Sequence, residues 1–169
     1  MTPSLDKIAA FTHRLTRAAL LVSAAGLVAM SLIITWQVFG RDVLNASPAW
    51  SEPLALLLML YYIMLAAAVG VYEGFHLGLR IVIDNLPPGL SRWLSIVNDC
   101  LVGIFGLLML IHGLRLAEFT VSHVIPTLGI SRATAYWPFA AAGLLILIFS
   151  AERVLITLAS KNEKRLWNS

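Results

Sequence analysis

The stretch Ala18–Gly40, AALLVSAAGLVAMSLIITWQVFG, runs for 23 residues without a charged side chain. At 1.5 Å rise per residue, a helix of that length exceeds the roughly 30 Å hydrocarbon thickness of a bilayer. Two further stretches have the same character: Pro53–Tyr72, with 20 residues, and Ala133–Ala151, with 19. A fourth is shorter. Cys100–Leu114 has 15 uncharged residues between Asp99 and Arg115. It extends to a full span over about 93–119, because the Arg115 stem lets its charge reach the interface and Trp93 suits an interfacial belt. The chain therefore reads as an all-α integral membrane protein, a single four-span domain over residues 1–169. The transmembrane helices fall at about 18–40, 53–72, 93–119 and 133–153. The first apolar run is longer than the 7–15 residues of a signal-peptide core, so it reads as a span and not as a cleaved leader.

Composition agrees. Of 169 residues, 59% are hydrophobic and 12% charged, against about 25% charged in an average soluble domain. A soluble chain this short cannot hide so much apolar surface in one core. The net charge of +3 is not gathered into a stripe with interleaved aromatics, which excludes nucleic acid as a partner class. The single cysteine, Cys100, cannot form an internal disulfide.

Two segments outside the spans read as short amphipathic helices lying on the membrane. In the first, at about 4–16, Leu5, Ile8, Phe11, Thr12 and Leu15 share a face that would lie on the leaflet, with Lys7 and Arg14 elsewhere. In the second, at about 75–86, Phe75, Leu79, Val82, Ile83 and Leu86 recur at helical spacing opposite His76, Arg80 and Asp84. Pro87-Pro88-Gly89 ends it. Lys and Arg residues set the orientation. Lys7, Arg14, Arg17, Arg80, Arg92, Arg153, Lys161, Lys164 and Arg165 fall on one side; Arg41, Arg115 and Arg132 fall on the other. Nine against three places both termini in the cytoplasm and the 41–52 and 119–132 loops outside.

The search for chemistry finds little. The chain has no His-x-x-x-His pair, no paired cysteines, no glycine-rich phosphate loop and no Gly-x-Ser-x-Gly elbow. His112 and His123 are separated by about 16 Å along a helix axis, too far to grip one iron together. The polar residues placed within the membrane are Gln37, Asp99, Arg115 and Glu118. Asp99 is expected to meet Arg92 or a partner chain, and Arg115 to pair with Glu118 three residues on. Outside, Arg41, Asp42, Trp50, Glu52 and Arg132 form a candidate docking or structural cluster. Ser51 is placed to cap the second span, and Arg41 to pair with Asp42 or Glu52. Small residues in spans one, two and four (Gly26, Ala68 and Gly143 among them) are candidates for close helix contact.

The order of short motifs is familiar. Gln37-Val38-Phe39-Gly40-Arg41 closes the first span, and Trp50-Ser51-Glu52 opens the second. Gly74-Phe75-His76-Leu77 and Leu86-Pro87 follow. Pro126-Thr127-Leu128-Gly129-Ile130-Ser131 precedes the fourth span, which Glu152 closes. Over about residues 15–158 the chain resembles the small, DctQ-type membrane subunit of tripartite ATP-independent periplasmic (TRAP) transporters. The resemblance implies a non-catalytic scaffold in a bacterial or archaeal inner membrane. It implies a large multi-span partner that carries the sodium and substrate sites, and a periplasmic binding protein that delivers an organic acid-like solute. It implies no catalytic residue, metal or cofactor in this chain. Two other readings compete with it: a free-standing small transporter built on Asp99, and a membrane-anchored redox or enzyme subunit.

Overall fold

The computed structural model describes residues 3–46, 48–73 and 87–166, with side chains between Ala10 and Leu158 apart from those at 47, 74–86, 88 and 89. Four long helices dominate: α1 (Pro3–Asp42), α2 (Ser51–Glu73), α3 (Pro88–Phe119) and α4 (Trp137–Leu166). Between α3 and α4 lie a two-stranded hairpin, β1 (Val124–Ile125) with β2 (Ile130–Ser131), and a 3-10 turn at Arg132–Ala135. All four helices are long and apolar enough to cross a membrane. The expected helix over 75–86, with His76, Arg80 and Asp84, lies outside the described residues.

The segment at 4–16 is helical but runs without a break into the first span, giving one helix of 40 residues. Two residues of the face expected to lie on the leaflet, Thr12 and Leu15, pack against the other helices instead. Thr12 is fully buried against α4, whereas Phe11 is 61% exposed. The seam follows a regular rule. Thr12, Thr16, Ala19, Ser23, Gly26, Met30, Ile33, Gln37 and Gly40 are all buried or half-buried, at alternating steps of four and three. An average step of 3.5 keeps one narrow stripe facing a neighbouring helix. Most of these side chains are small, which lets α2 approach: Ser23 Oγ donates to the Tyr62 carbonyl at 2.6 Å, and a Cβ on Gly26 would stand 3.2 Å from Tyr62 Cβ.

Among the described residues the helices do not close into a bundle. The main contacts run in the order α1, α2, α4, α3, with a lesser one of α1 on α4, and neither α1 nor α2 packs substantially on α3. The tightest joint is between α3 and α4, where backbone meets backbone. A Cβ on Gly143 would lie 2.6 Å from the Gly106 carbonyl oxygen, and one on Gly113 2.8 Å from the Ala140 nitrogen. The joint between α2 and α4 is apolar, with Ala68, Val69, Leu145 and Phe149 buried and Tyr72 against Phe149 at 5.0 Å between ring centroids. Because each helix has few neighbours, large apolar side chains stay uncovered by this chain along all four helices, among them Leu21, Leu32, Leu56, Leu101, Phe105 and Leu155.

The loops follow from local chemistry. α1 ends where Asn45 takes a left-handed φ of 50°, a conformation that Asn tolerates better than most residues. The Ala46 N–H turns back to the Gly40 carbonyl at 3.0 Å. A Cβ on Gly40 would stand only 3.0 Å from the Ala46 oxygen, so the glycine lets the loop lie on the helix end. Ser51 is not the cap expected of it. It sits within the helix, buried, and its hydroxyl donates back to the Pro48 carbonyl at 2.7 Å, while the Trp50 carbonyl accepts from Leu54 N–H. α3 starts with Pro88 after an extended Pro87, and proline suits a first turn that has no use for its N–H. The hairpin turns at Gly129, φ 67°. Ser131 then caps the 3-10 turn, accepting from Ala133 N–H at 3.2 Å.

Candidate functional site

The topology divides the polar side chains between the two ends of the helix row. One end gathers the hairpin, the end of α1 and the start of α2. The other gathers the start of α1, the end of α2, the start of α3 and the end of α4.

At the terminal end, side chains of α1, α3 and α4 tie the helices together. Thr12 Oγ1 donates to Glu152 Oε1 at 2.9 Å, and both residues are buried. Thr16 Oγ1 donates back to the Thr12 carbonyl at 2.8 Å, as a hydroxyl does when its helix neighbours are apolar. On another side of α4, Arg153 Nη1 donates to the Val71 carbonyl at 3.1 Å and stands 4.0 Å from Asp99 Oδ1. One guanidinium thus satisfies a carbonyl near the end of α2 and faces an acid of α3. Its planar fork of donors suits it to two acceptors at once. Arg92 reaches across from α3 to the Thr157 and Leu158 carbonyls of α4. Asp99 is therefore buried, as a polar residue of the membrane region, and among the described residues it faces Arg153, whereas Arg92, one of the two partners expected of it, reaches α4 instead.

At the hairpin end, Arg41 and Asp42 pair at 2.8 Å with both side chains more than half exposed, which selects Asp42 over Glu52 as the partner. Trp50, Glu52 and Arg132 lie at this same end and are exposed; among the described residues Glu52 and Arg132 make no ion pair. The five residues thus share an end of the molecule without forming one bonded cluster. Tyr61 OH donates to the Thr134 carbonyl at 2.9 Å and fixes the 3-10 turn to α2. Arg115 and Glu118 are both exposed, and no ion pair joins them among the described residues. Gln37 is half-buried on the α1 seam, with no hydrogen-bond partner for its Oε1 among the described residues.

Sequence reasoning missed three features. Glu152 and Arg153 look like ordinary charges flanking a span, yet they hold α1, α2 and α3. Thr12 reads as one more residue of an amphipathic face, although the four-three alternation from Thr12 to Gly40 was a legible seam. The glycines of the third span, Gly103, Gly106 and Gly113, stand on the joint with α4, and the candidate small residues of the other three spans did not include them. Among the described residues, no group of three or more His, Cys, Asp or Glu side chains comes together to hold a metal ion.

The family described as tripartite ATP-independent periplasmic transporters, DctQ component, matches residues 30–159, well over half of the chain. The chain belongs to the DctQ family. Among curated proteins it is similar to the sialic acid TRAP transporter small permease protein SiaQ of Vibrio cholerae, at 28% identity over 130 residues, covering 76% of this chain and 74% of that one. Membership makes this DctQ-type chain a multi-pass membrane component of a TRAP transporter, a family of transporter components and not of enzymes. The matched region takes in the α1 seam from Met30 onward, the glycine joint of α3 and α4, and the Asp99–Arg153 and Arg92 contacts. Thr12 lies outside it.

Proposed function

We propose that this chain is the stationary brace of a TRAP transporter. It holds a large, sodium-coupled transport subunit in the inner membrane while that subunit takes up an organic acid-like solute delivered by a periplasmic binding protein. Family membership supports the class of partners. The similar Vibrio cholerae protein serves a sialic acid transporter by name, and sialic acid is an acid of the kind proposed. The observation that carries the scaffold role is the open row of helices. Four spans laid side by side leave two broad apolar faces, and the polar contacts within the row are spent on joining its own helices. A plate of this kind can present one face to a protein partner and the other to lipid. On this reading the termini are cytoplasmic, as the distribution of Lys and Arg favours. The hairpin end with Arg41, Asp42, Trp50, Glu52 and Arg132 then faces the periplasm and the binding protein.

Asp99 faces Arg153 at 4.0 Å near the helix ends, which supports a structural task for it over a free-standing transporter built on it. The test is co-purification. With a tag at the C-terminus and extraction from native membranes in mild detergent, a larger multi-span protein is expected at near-equal amount. A chain that emerges alone and folded would overturn the scaffold reading. Charge reversal at Glu52 or Arg132 is expected to lower uptake at unchanged membrane levels, and unchanged uptake would remove the docking role from this end.

A further inference from the structure

The 13 residues from Phe119 to Ser131 link α3 to the 3-10 turn and carry no Asp, Glu, Lys or Arg. The stretch between α1 and α2 is different: Arg41, Asp42 and Glu52 bring three charges into the 12 residues 41–52. The uncharged loop also exposes apolar side chains. Phe119 is 78% exposed, and Val121, Val124 and, just beyond the loop, Trp137 are more than half exposed. Apolar surface gathered in this way marks a contact with protein or membrane. The one titratable side chain of the loop, His123, stacks on Phe119 with ring centroids 6.4 Å apart.

The main chain of the loop is equipped for surroundings poorer in hydrogen bonds than water. The N–H groups of Thr120, Val121, His123, Leu128, Gly129 and Arg132 all find carbonyls within the loop or at the end of α3. Pairing of β1 with β2 sets Val124 against Ser131 and Ile125 against Ile130. The Thr120 hydroxyl donates to the Leu116 carbonyl at 2.6 Å, and the Ser131 hydroxyl to the Val121 carbonyl at 2.7 Å. Away from bulk water, non-helical backbone is tolerated where its polar groups have such partners.

The loop is also seated low. Tyr61, whose hydroxyl holds the Thr134 carbonyl, follows Ser51 by ten residues, about 15 Å along α2. The 3-10 turn that receives the hairpin is thus fastened well down α2, on the membrane side of Trp50 and Glu52.

We infer that the 119–131 hairpin lies in the headgroup region of the leaflet at this end, with Phe119, Val121 and Val124 in contact with lipid, while the loop from Arg41 to Glu52 stands out in water. Phe119 and Trp137 close and open their spans at this level, as aromatic side chains of a membrane interface do. The occupant is lipid and not a soluble protein. Charge orients and steers the docking of a soluble partner, and the loop carries none. Arg115 and Arg132, which flank it in sequence and are exposed, have stems long enough to bring their charges to the headgroups. The inference needs only that the row lies in a bilayer, and it stands whether or not the brace reading holds.

The experiment puts one nitroxide label on the full chain, through Val121→Cys, Val124→Cys, Ala49→Cys or Leu108→Cys in a Cys100→Ser parent. All four labelled positions are exposed, so the label displaces no packed side chain. Each protein is reconstituted in vesicles of phosphatidylethanolamine and phosphatidylglycerol. Collisions with oxygen, which concentrates in lipid, are compared with collisions with a nickel chelate, which stays in water. The oxygen-to-nickel ratio at Val121 and Val124 is expected to be severalfold above that at Ala49, in the α1–α2 loop, and below that at Leu108, within α3. Adding Val121→Asp should lower the ratio at a Val124 label toward the Ala49 value, as the charge lifts the hairpin out, with the helical circular dichroism unchanged. Ratios at Val121 and Val124 equal to that at Ala49 would overturn the inference. So would a photo-crosslinker at Val124 that captures a partner protein in native membranes instead of lipid.

Discussion

The joint between α3 and α4 offers a graded test, because three glycines on it differ in the room they leave. A methyl group on Gly143 would lie 2.6 Å from both the Gly106 carbonyl oxygen and the Leu110 nitrogen, where ordinary contact begins at about 3.4 Å. Both obstacles are backbone and cannot rotate away, so α3 and α4 must part by about 0.8 Å, the difference of those two distances. A gap of that size forfeits a quarter to a half of each dispersion contact along the crossing, and overpacking of this kind costs about 1–3 kcal/mol. The gain of roughly 1 kcal/mol that alanine brings over glycine within a helix offsets part of it. Gly106→Ala meets backbone at 2.9–3.0 Å and should cost less. Gly103→Ala meets only the Ser150 side chain, with Cβ at 3.4 Å and Oγ at 4.0 Å, so it should be neutral or stabilising by up to about 1 kcal/mol. The assay is unfolding in mixed micelles by titrated dodecyl sulfate, read by helical circular dichroism. The expected order of midpoints is Gly103→Ala at or above the parent, then Gly106→Ala, then Gly143→Ala. If Gly143→Ala unfolds together with Gly103→Ala, the backbone-on-backbone joint is wrong.

The same titration reads three other contacts. Thr12→Val removes the hydroxyl that satisfies Glu152 Oε1 and leaves a buried acceptor behind, which should cost about 1–3 kcal/mol; Thr16→Val, which loses only a bond to its own helix, should cost less. Arg153→Met removes both the donor to the Val71 carbonyl and the cation facing Asp99. Its cost should fall when Asp99→Asn is added, so that the double change is less harmful than the sum of the singles; strict additivity would mean that the two side chains do not interact. Tyr61→Phe deletes one hydrogen bond to the Thr134 carbonyl, about 1 kcal/mol. It should also speed amide exchange in the 3-10 turn while the exchange of α3 stays as it was.

The four spans were legible because hydropathy over some 20 residues depends on little beyond composition. The third span, interrupted by Asp99 and Arg115, was legible for a related reason: a long side chain near a helix end carries its charge outward. What the sequence hides is which face of an apolar helix meets which neighbour. In water the core side of a helix is marked by an apolar stripe, but here both sides of each span are apolar. The seam of α1 is marked instead by small and weakly polar residues, Thr12, Thr16, Ala19, Ser23 and Gly26, which are the residues that let backbones approach in lipid. That Arg153, and not Arg92, faces Asp99 among the described residues depends on how α3 and α4 are rotated about their axes. The glycines fix that rotation, and no local pattern does. The five residues expected to form a docking or structural cluster are exposed and share the hairpin end. Their expected union was only partial, because Arg41 has an acid next to it in sequence and needs no other.

An open row has a mechanical consequence on the proposed reading. A closed four-helix bundle hides the inner face of every helix and offers a partner only convex outsides. A row exposes two faces along its whole width, and it stays flat only if its joints are stiff. Each joint here uses groups with little freedom to lose. Glycine and alanine have no side-chain entropy to surrender, and they carry the α3–α4 contact and much of the α1 seam. The polar ties run largely from side chain to main chain, as from Ser23 to Tyr62, Tyr61 to Thr134 and Arg153 to Val71, so one end of each is already fixed in a helix or a tight turn. A brace must not bend when its partner moves. Stiffness therefore has to come from within this chain, and the partner-facing surface can stay apolar and featureless. On that reading, the ion pairs and charged contacts can sit toward the two ends of the row, while its joints are made by small and apolar residues.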